Sequence, residues 1–217
     1  MAKNKTTDPQ KTKKNSRGKD TRQMILNAAQ KVFAMHPYNA ASIRMIASKG
    51  EFYHGLIRYH FPSKAAIFEE VIKNSCMTLY DSNNRWLNEV AALPAKEGLS
   101  IYMDRFIEFS RNNPEICRII IQNLSHDDPS TLPGYQHLKN LFSNNRKDFK
   151  KIVNVRIPDA DINKFADSFN ALIFRYLGTK HIAAHIAGFD PESDEYLKWV
   201  KDTLLFVFLP VLNQYRE

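Results

Sequence analysis

Between Ser42 and Lys64 the chain reads SIRMIASKGEFYHGLIRYHFPSK, with Glu51 as the one acid. Arg44, Lys49, Arg58 and Lys64 bring positive charge. Tyr53, His54, Tyr59 and His60 bring rings that carry hydrogen-bonding groups. Guanidinium and ammonium groups pair with phosphate oxygens, and arginine also bonds bidentately to guanine edges. Hydroxyls and imidazoles add shorter-range donors and acceptors. Such groups at this density suit a polyanion whose edges must be read, and DNA is the natural candidate.

Groups of this kind act only when something holds them on one face. Ser42 is a suitable N-cap, because a short side-chain oxygen accepts an orphan backbone N–H. Ile43, Ile46 and Ala47 then give a short helix a buried side. Gly50 and Glu51 mark a turn, with Phe52 to plug the corner. A further helix, from about Tyr53 to His60, buries Leu56 or Ile57 and turns Tyr53, His54, Arg58 and Tyr59 outward. The spacing is that of a helix-turn-helix, whose second helix fits the major groove of B-DNA.

Upstream, Ile25, Ala28, Ala29, Val32 and Phe33 recur at helical spacing and predict a helix from Thr21 that ends at His36-Pro37. Downstream, Pro62-Ser63-Lys64 starts a long helix that nothing breaks before Pro94. The polar run Asp81-Ser82-Asn83-Asn84 is a candidate kink. The body continues as helical segments: 98–112, a segment opened by Pro114, 135–155, 161–187 and 192–215. The last two carry apolar residues over broad surfaces, enough for a core and a second subunit; a deeply buried pair in a monomer is the alternative.

Composition agrees. The 217 residues are 43% hydrophobic and 25% charged, with 7 glycines, which is the balance of a globular protein. The net charge of +8 is unevenly placed: residues 1–64 hold 13 Lys and Arg against 3 acids, and the remainder holds 18 against 20. A basic end on a near-neutral body predicts a nucleic-acid module joined to a part with another task. Residues 1–20 are basic and almost free of large apolar side chains, which predicts a disordered arm, either solvated or laid along DNA. No apolar run is long enough to cross a membrane, and no apolar leader opens the chain. Cys76 and Cys117 are too few for a disulfide framework, so a cytoplasmic location is expected.

Residues 21–72 resemble the DNA-binding end of TetR/AcrR-type bacterial regulators. The resemblance rests on Thr21-Arg22, Ile25, Ala28-Ala29 and Phe33; on Ser42, Ile46-Ala47 and Gly55; on Tyr59-His60-Phe61-Pro62-Ser63-Lys64; and on Phe68 and Val71-Ile72. It implies an all-α fold: a three-helix helix-turn-helix domain over 21–66 and a larger ligand-binding and dimerisation domain over 67–217. It also implies a homodimer through the last two helices on a two-fold operator, usually a repressor released by a small molecule. Carried onto this chain, Arg44, Tyr53, His54, Gly55 and Arg58 take base-reading positions. Ser42, Tyr59, His60 and Lys64 take phosphate-contacting or positioning ones. Three places depart from the pattern: Glu51 stands where glycine is usual, Arg58 where tyrosine is usual, and His36-Pro37 replaces a glycine-containing turn.

For the body, Tyr102, Phe106, Phe109, Phe142, Phe149, Phe169, Phe174 and Tyr176 are candidates to line an apolar ligand cavity. Arg118, Arg175 and His181 are candidates for an acidic group on that ligand. His181 and His185 have a metal-compatible i, i+4 spacing but no third ligand in view, so neither metal nor cofactor is expected. No nucleophile–base motif or glycine-rich phosphate loop appears, and the chain does not read as an enzyme. The rival is a helical ligand-binding or protein-interaction module without sequence-specific DNA binding.

Overall fold

The computed structural model describes residues 9–124, 128–152 and 157–215. Every regular element among them is helical, as expected. The chain divides into two compact units, Met1–Val71 and Ile72–Glu217.

The first unit holds α1 (Pro9–Met35), α2 (Ile43–Gly50), α3 (His54–His60) and the first turns of α4 (Lys64–Val90). The helix α1 begins at Pro9, well before the Thr21 start expected from the apolar spacing. Pro9 is suited to a first helical turn, and the polar residues that follow supply helix propensity without an apolar face. The part of the expected arm before Pro9 lies outside the described residues. Ile25, Ala29, Phe33, Ile46, Ile57, Ile67 and Phe68 are all buried. Phe33 meets Phe68 edge-on at 4.8 Å, and Tyr38 lies 4.6 Å from the same ring. Those contacts tie the start of α4 to the first unit, which is why the division falls after Val71 rather than at the expected residue 66.

The second unit contains the rest of α4, then α5 (Ala95–Asn112), α6 (Pro114–Leu124), a 3₁₀ turn (Pro129–Thr131) and α7 (Tyr135–Ile152). It closes with α8 (Asp159–Gly178), α9 (Lys180–Ala187) and α10 (Asp194–Gln214). Its centre is aromatic. Tyr102 packs on Phe149 and Phe169, Trp86 on Phe106 and Phe109, and Phe208 on Phe165 and Phe169.

The expected single helix 161–187 is two helices. Thr179 leaves the helical region, and its hydroxyl donates to the Arg175 carbonyl at 2.5 Å while accepting from the Arg175 guanidinium at 2.7 Å. That local bonding competes with helix continuation. Gly178 also sits so close to α6 that a Cβ would meet Ile121 at 3.0 Å and the Cys117 carbonyl at 3.1 Å. The polar run in α4 proves to be internal wiring, and α4 is one helix through it: Ser82 and Asn83 are buried.

Candidate nucleic-acid interface

The side chain of Ser42 caps α2, its Oγ accepting from Met45 N at 3.2 Å. Ile46 and Ala47 are buried under α2, whereas Arg44 on the opposite side is exposed. The turn to α3 closes with Phe52 N donating to Ala47 O at 2.8 Å and Glu51 N donating to Ser48 O at 3.4 Å. This Schellman pattern needs a left-handed residue, and Glu51 supplies it with φ 57°. The glycine one place earlier does something else. A Cβ on Gly50 would run into the Phe52 ring, so Gly50 lets that ring cover the corner. A left-handed non-glycine costs roughly 1–2 kcal/mol, partly offset by glycine's greater freedom when unfolded. Glu51→Gly is therefore expected to stabilise this unit by about 0.5–1 kcal/mol, seen as slower amide exchange in α2 and α3. Gly50→Ala is expected to speed that exchange by driving Phe52 off the turn.

Ile57 anchors α3 at 0% exposure; Leu56, the other candidate anchor, lies on the surface. With that side fixed, Tyr53 is 90% exposed and Tyr59 84% exposed. His54, Gly55 and Arg58 are exposed as well, and no atom lies within 4 Å of a Cβ built on Gly55. A backbone can thus be approached closely at Gly55. The Tyr59 ring stands edge-on to His60 at 5.1 Å. Lys64 is a clasp: its Nζ donates to Tyr38 O at 2.8 Å and to Ala41 O at 3.0 Å, and lies 4.3 Å above the Tyr38 ring. One of its three N–H groups remains. Arg22 has a positioning role that its sequence context did not show. It bonds bidentately to Glu70 and stacks 4.5 Å over Phe61, fixing α1 against the start of α4.

A capped helix, a tight turn and a second short helix thus share a buried side. Their open side carries arginine, histidine and tyrosine with one acid. The family model of bacterial regulatory proteins of the tetR family matches residues 25–71, which span these elements. Residues 25–71 thus match the DNA-binding end of TetR/AcrR-type regulators. The chain accordingly binds DNA and regulates transcription. No curated protein sequence matches the regulator. Solved structures do. A TetR-family transcriptional regulator from Mesorhizobium loti superposes with TM-score 0.63 at 18% identity, covering 90% of this chain and 98% of its own. A transcriptional regulator of the same family from Aquifex aeolicus gives 0.56 at 14%, covering 88% and 99%. The fatty acid degradation regulator FadR from Bacillus halodurans gives 0.60 at 16%, covering 93% and 97%. At these identities the shared property is the fold, and it extends over nearly the whole regulator.

The second unit scatters the expected pocket residues. A cavity of about 50 Å³ lies among residues of α4, α5, α7 and α8 with Leu212 of α10, and Tyr102 and Phe149 line it beside Leu99 and Phe165. Phe106, Phe109, Phe169 and Phe174 are packed into the aromatic core. Phe142 lies against Phe174, and Tyr176 stands edge-on to Trp199. Arg118 lies half-buried on α6, Arg175 bonds Thr179, and His181 is on the surface. His181 and His185 are both exposed on α9, and no group of three metal-ligating side chains occurs among the described residues. No helix among them is long and apolar enough to cross a membrane.

Tyr102 also reaches a buried polar chain that the sequence pattern hid. Its hydroxyl donates to Asn83 Oδ1 at 2.5 Å, and the Asn83 amide donates to Asn145 Oδ1 at 3.2 Å. A turn away, Tyr80 donates to Asp148 at 3.0 Å. Burial pushes the Tyr102 hydroxyl well above its ordinary pKa, so it remains a donor. Tyr102→Phe leaves Asn83 Oδ1 without that donor in the core. The expected cost is about 1–3 kcal/mol, measurable by chemical denaturation followed through tryptophan fluorescence.

Proposed function

We propose that the protein is a homodimeric repressor, released from a two-fold operator by a small, mainly apolar effector. The observation that carries the reading is the open side of α2 and α3. Arg44 and Arg58 are exposed there with Tyr53 and His54, while Ile46 and Ile57 hold both helices from behind. In this reading Arg44, Tyr53, His54, Gly55 and Arg58 meet base edges. Ser42, Tyr59, His60 and the remaining Lys64 donor meet or position phosphates.

The dimer reading rests on α9 and α10. Ile182 and Ile186 are exposed on α9, and Phe206 is 82% exposed with Val207 beside it on α10. The opposite side of α10 is already used, with Tyr196, Val200, Leu204 and Phe208 buried. Apolar side chains left exposed on both helices suit a two-fold dimer. Such a dimer presents two α3 helices to half-sites about 34–36 Å apart.

For the effector, we favour the cavity beside Tyr102. At about 50 Å³ it is far below the roughly 300–1,000 Å³ of occupied small-molecule sites, so an effector must widen it. Moving the Tyr102 ring loosens its bond to Asn83, on the helix whose first residue is Lys64. Release is then a population shift toward dimers with badly spaced reading helices. We read no enzymatic role, and the protein works where its DNA is, in the cytoplasm. The test is retention on a selected operator before and after a metabolite extract is added. An extract that binds and stabilises the protein without changing operator affinity contradicts the release mechanism.

A further inference from the structure

A second depression, of about 190 Å³, lies between α4 and α7 and shares no lining residue with the cavity beside Tyr102. On α4 its wall is Lys73, Cys76, Met77 and Tyr80, at i, i+3, i+4 and i+7. On α7 it is His137 and Asn144 with the residues between them that share their face. Each helix therefore turns one continuous face toward the crevice.

The lining is chemically lopsided. Lys73 and His137 can carry positive charge, and no carboxylate lines the crevice. Neither Lys73 nor the Asn144 amide has a hydrogen-bond or ion-pair partner among the described residues. Glu70, one turn from Lys73, is already engaged by Arg22. The Tyr80 hydroxyl spends its proton on Asp148, which is buried. The floor is apolar. Leu141 and Cys76 are buried there, and burial pushes the Cys76 thiol up to about 12, so it remains a neutral S–H. Met77, half exposed, stands at the rim.

We propose that this crevice binds a small carboxylate carrying an apolar group of about the size of a benzene ring. The carboxylate takes the free donors of Lys73 and Asn144, with His137 beside them. The apolar part lies on Leu141, Cys76 and Met77. Unpartnered donors and a cationic rim are what an anion needs, and polar groups placed above an apolar floor give it orientation. The scale fits, because an apolar cavity of about 150 Å³ holds benzene. The inference goes beyond the repressor reading and is tested without DNA.

The experiment is isothermal titration of the full-length protein at low salt with benzoate, and with benzamide as its uncharged counterpart. Lys73→Met keeps the stem and removes the charge. Lys198→Met, at an exposed position of α10, is the control, and circular dichroism checks that each variant folds. Benzoate is expected to bind wild type and Lys198→Met alike. Lys73→Met is expected to weaken it at least tenfold, and benzamide to bind wild type at least tenfold more weakly than benzoate. No benzoate binding to wild type, benzamide binding as tight as benzoate, or benzoate affinity unchanged in Lys73→Met would each overturn the proposal.

Discussion

Alanine at both Arg44 and Arg58 is expected to abolish sequence-specific DNA binding while leaving the protein folded. Both side chains are exposed and neither holds an ion pair in the first unit, so their loss removes no core contact. A base-reading arginine contributes about 1–3 kcal/mol of discrimination, and a two-fold dimer presents each one twice. The sum is comparable to the whole specific advantage of a typical DNA-binding protein, about 4–10 kcal/mol. The double variant should therefore bind its operator at least about a thousandfold more weakly than wild type. What remains should be weak, salt-sensitive binding to any duplex. The single variants separate the two roles. Arg58→Ala should relax preference at the base pair it reads, as seen by competition among operator variants. Uniform weakening across all sequences would assign Arg58 to phosphate instead.

If the proposed dimer forms through α10, glutamate at Phe206 is expected to convert it to monomers. The side chain is 82% exposed, so the substitution removes nothing from the core of the second unit. Across a two-fold interface it acts twice. Burying a phenylalanine contributes about 1.5–3 kcal/mol, so two lost burials cost about 3–6 kcal/mol, and the introduced charge adds desolvation. A dimer constant weaker by about two to four powers of ten should appear as a shift to monomer mass by light scattering at micromolar protein. Operator affinity should fall with it, since each monomer holds one α3. A variant that stays dimeric places the interface elsewhere.

How far the sequence carried these conclusions depended on how local the physics was. The Ser42 cap, the buried Ile46 and Ala47, and the outward Arg58 follow from helical spacing within one or two turns, and the structure reproduces them. Glu51 was also legible as a conflict: the turn demands a left-handed residue, and the chain meets the demand with glutamate at φ 57°. The second unit was harder to read because its decisive features join residues distant in sequence. Asn83 reads as part of a candidate kink until Asn145 and Tyr102 arrive beside it. Thr179 ends a helix through bonds to Arg175 and because Gly178 must admit α6, which no helical periodicity reveals. Phe169 and Phe174 have the same residue type and spacing as cavity-lining aromatics, yet close packing makes them core.

In the proposed reading the exposed side of α2 and α3 reads DNA sequence. Selection of bound sequences from random duplex DNA, using the full-length protein at near-physiological salt, tests it most directly. Enrichment of a two-fold symmetric site whose half-sites are about one helical turn apart is expected, with no enrichment when Arg44 and Arg58 are both alanine. Wild-type protein that retains all duplexes equally, with affinity set by salt alone, would contradict it.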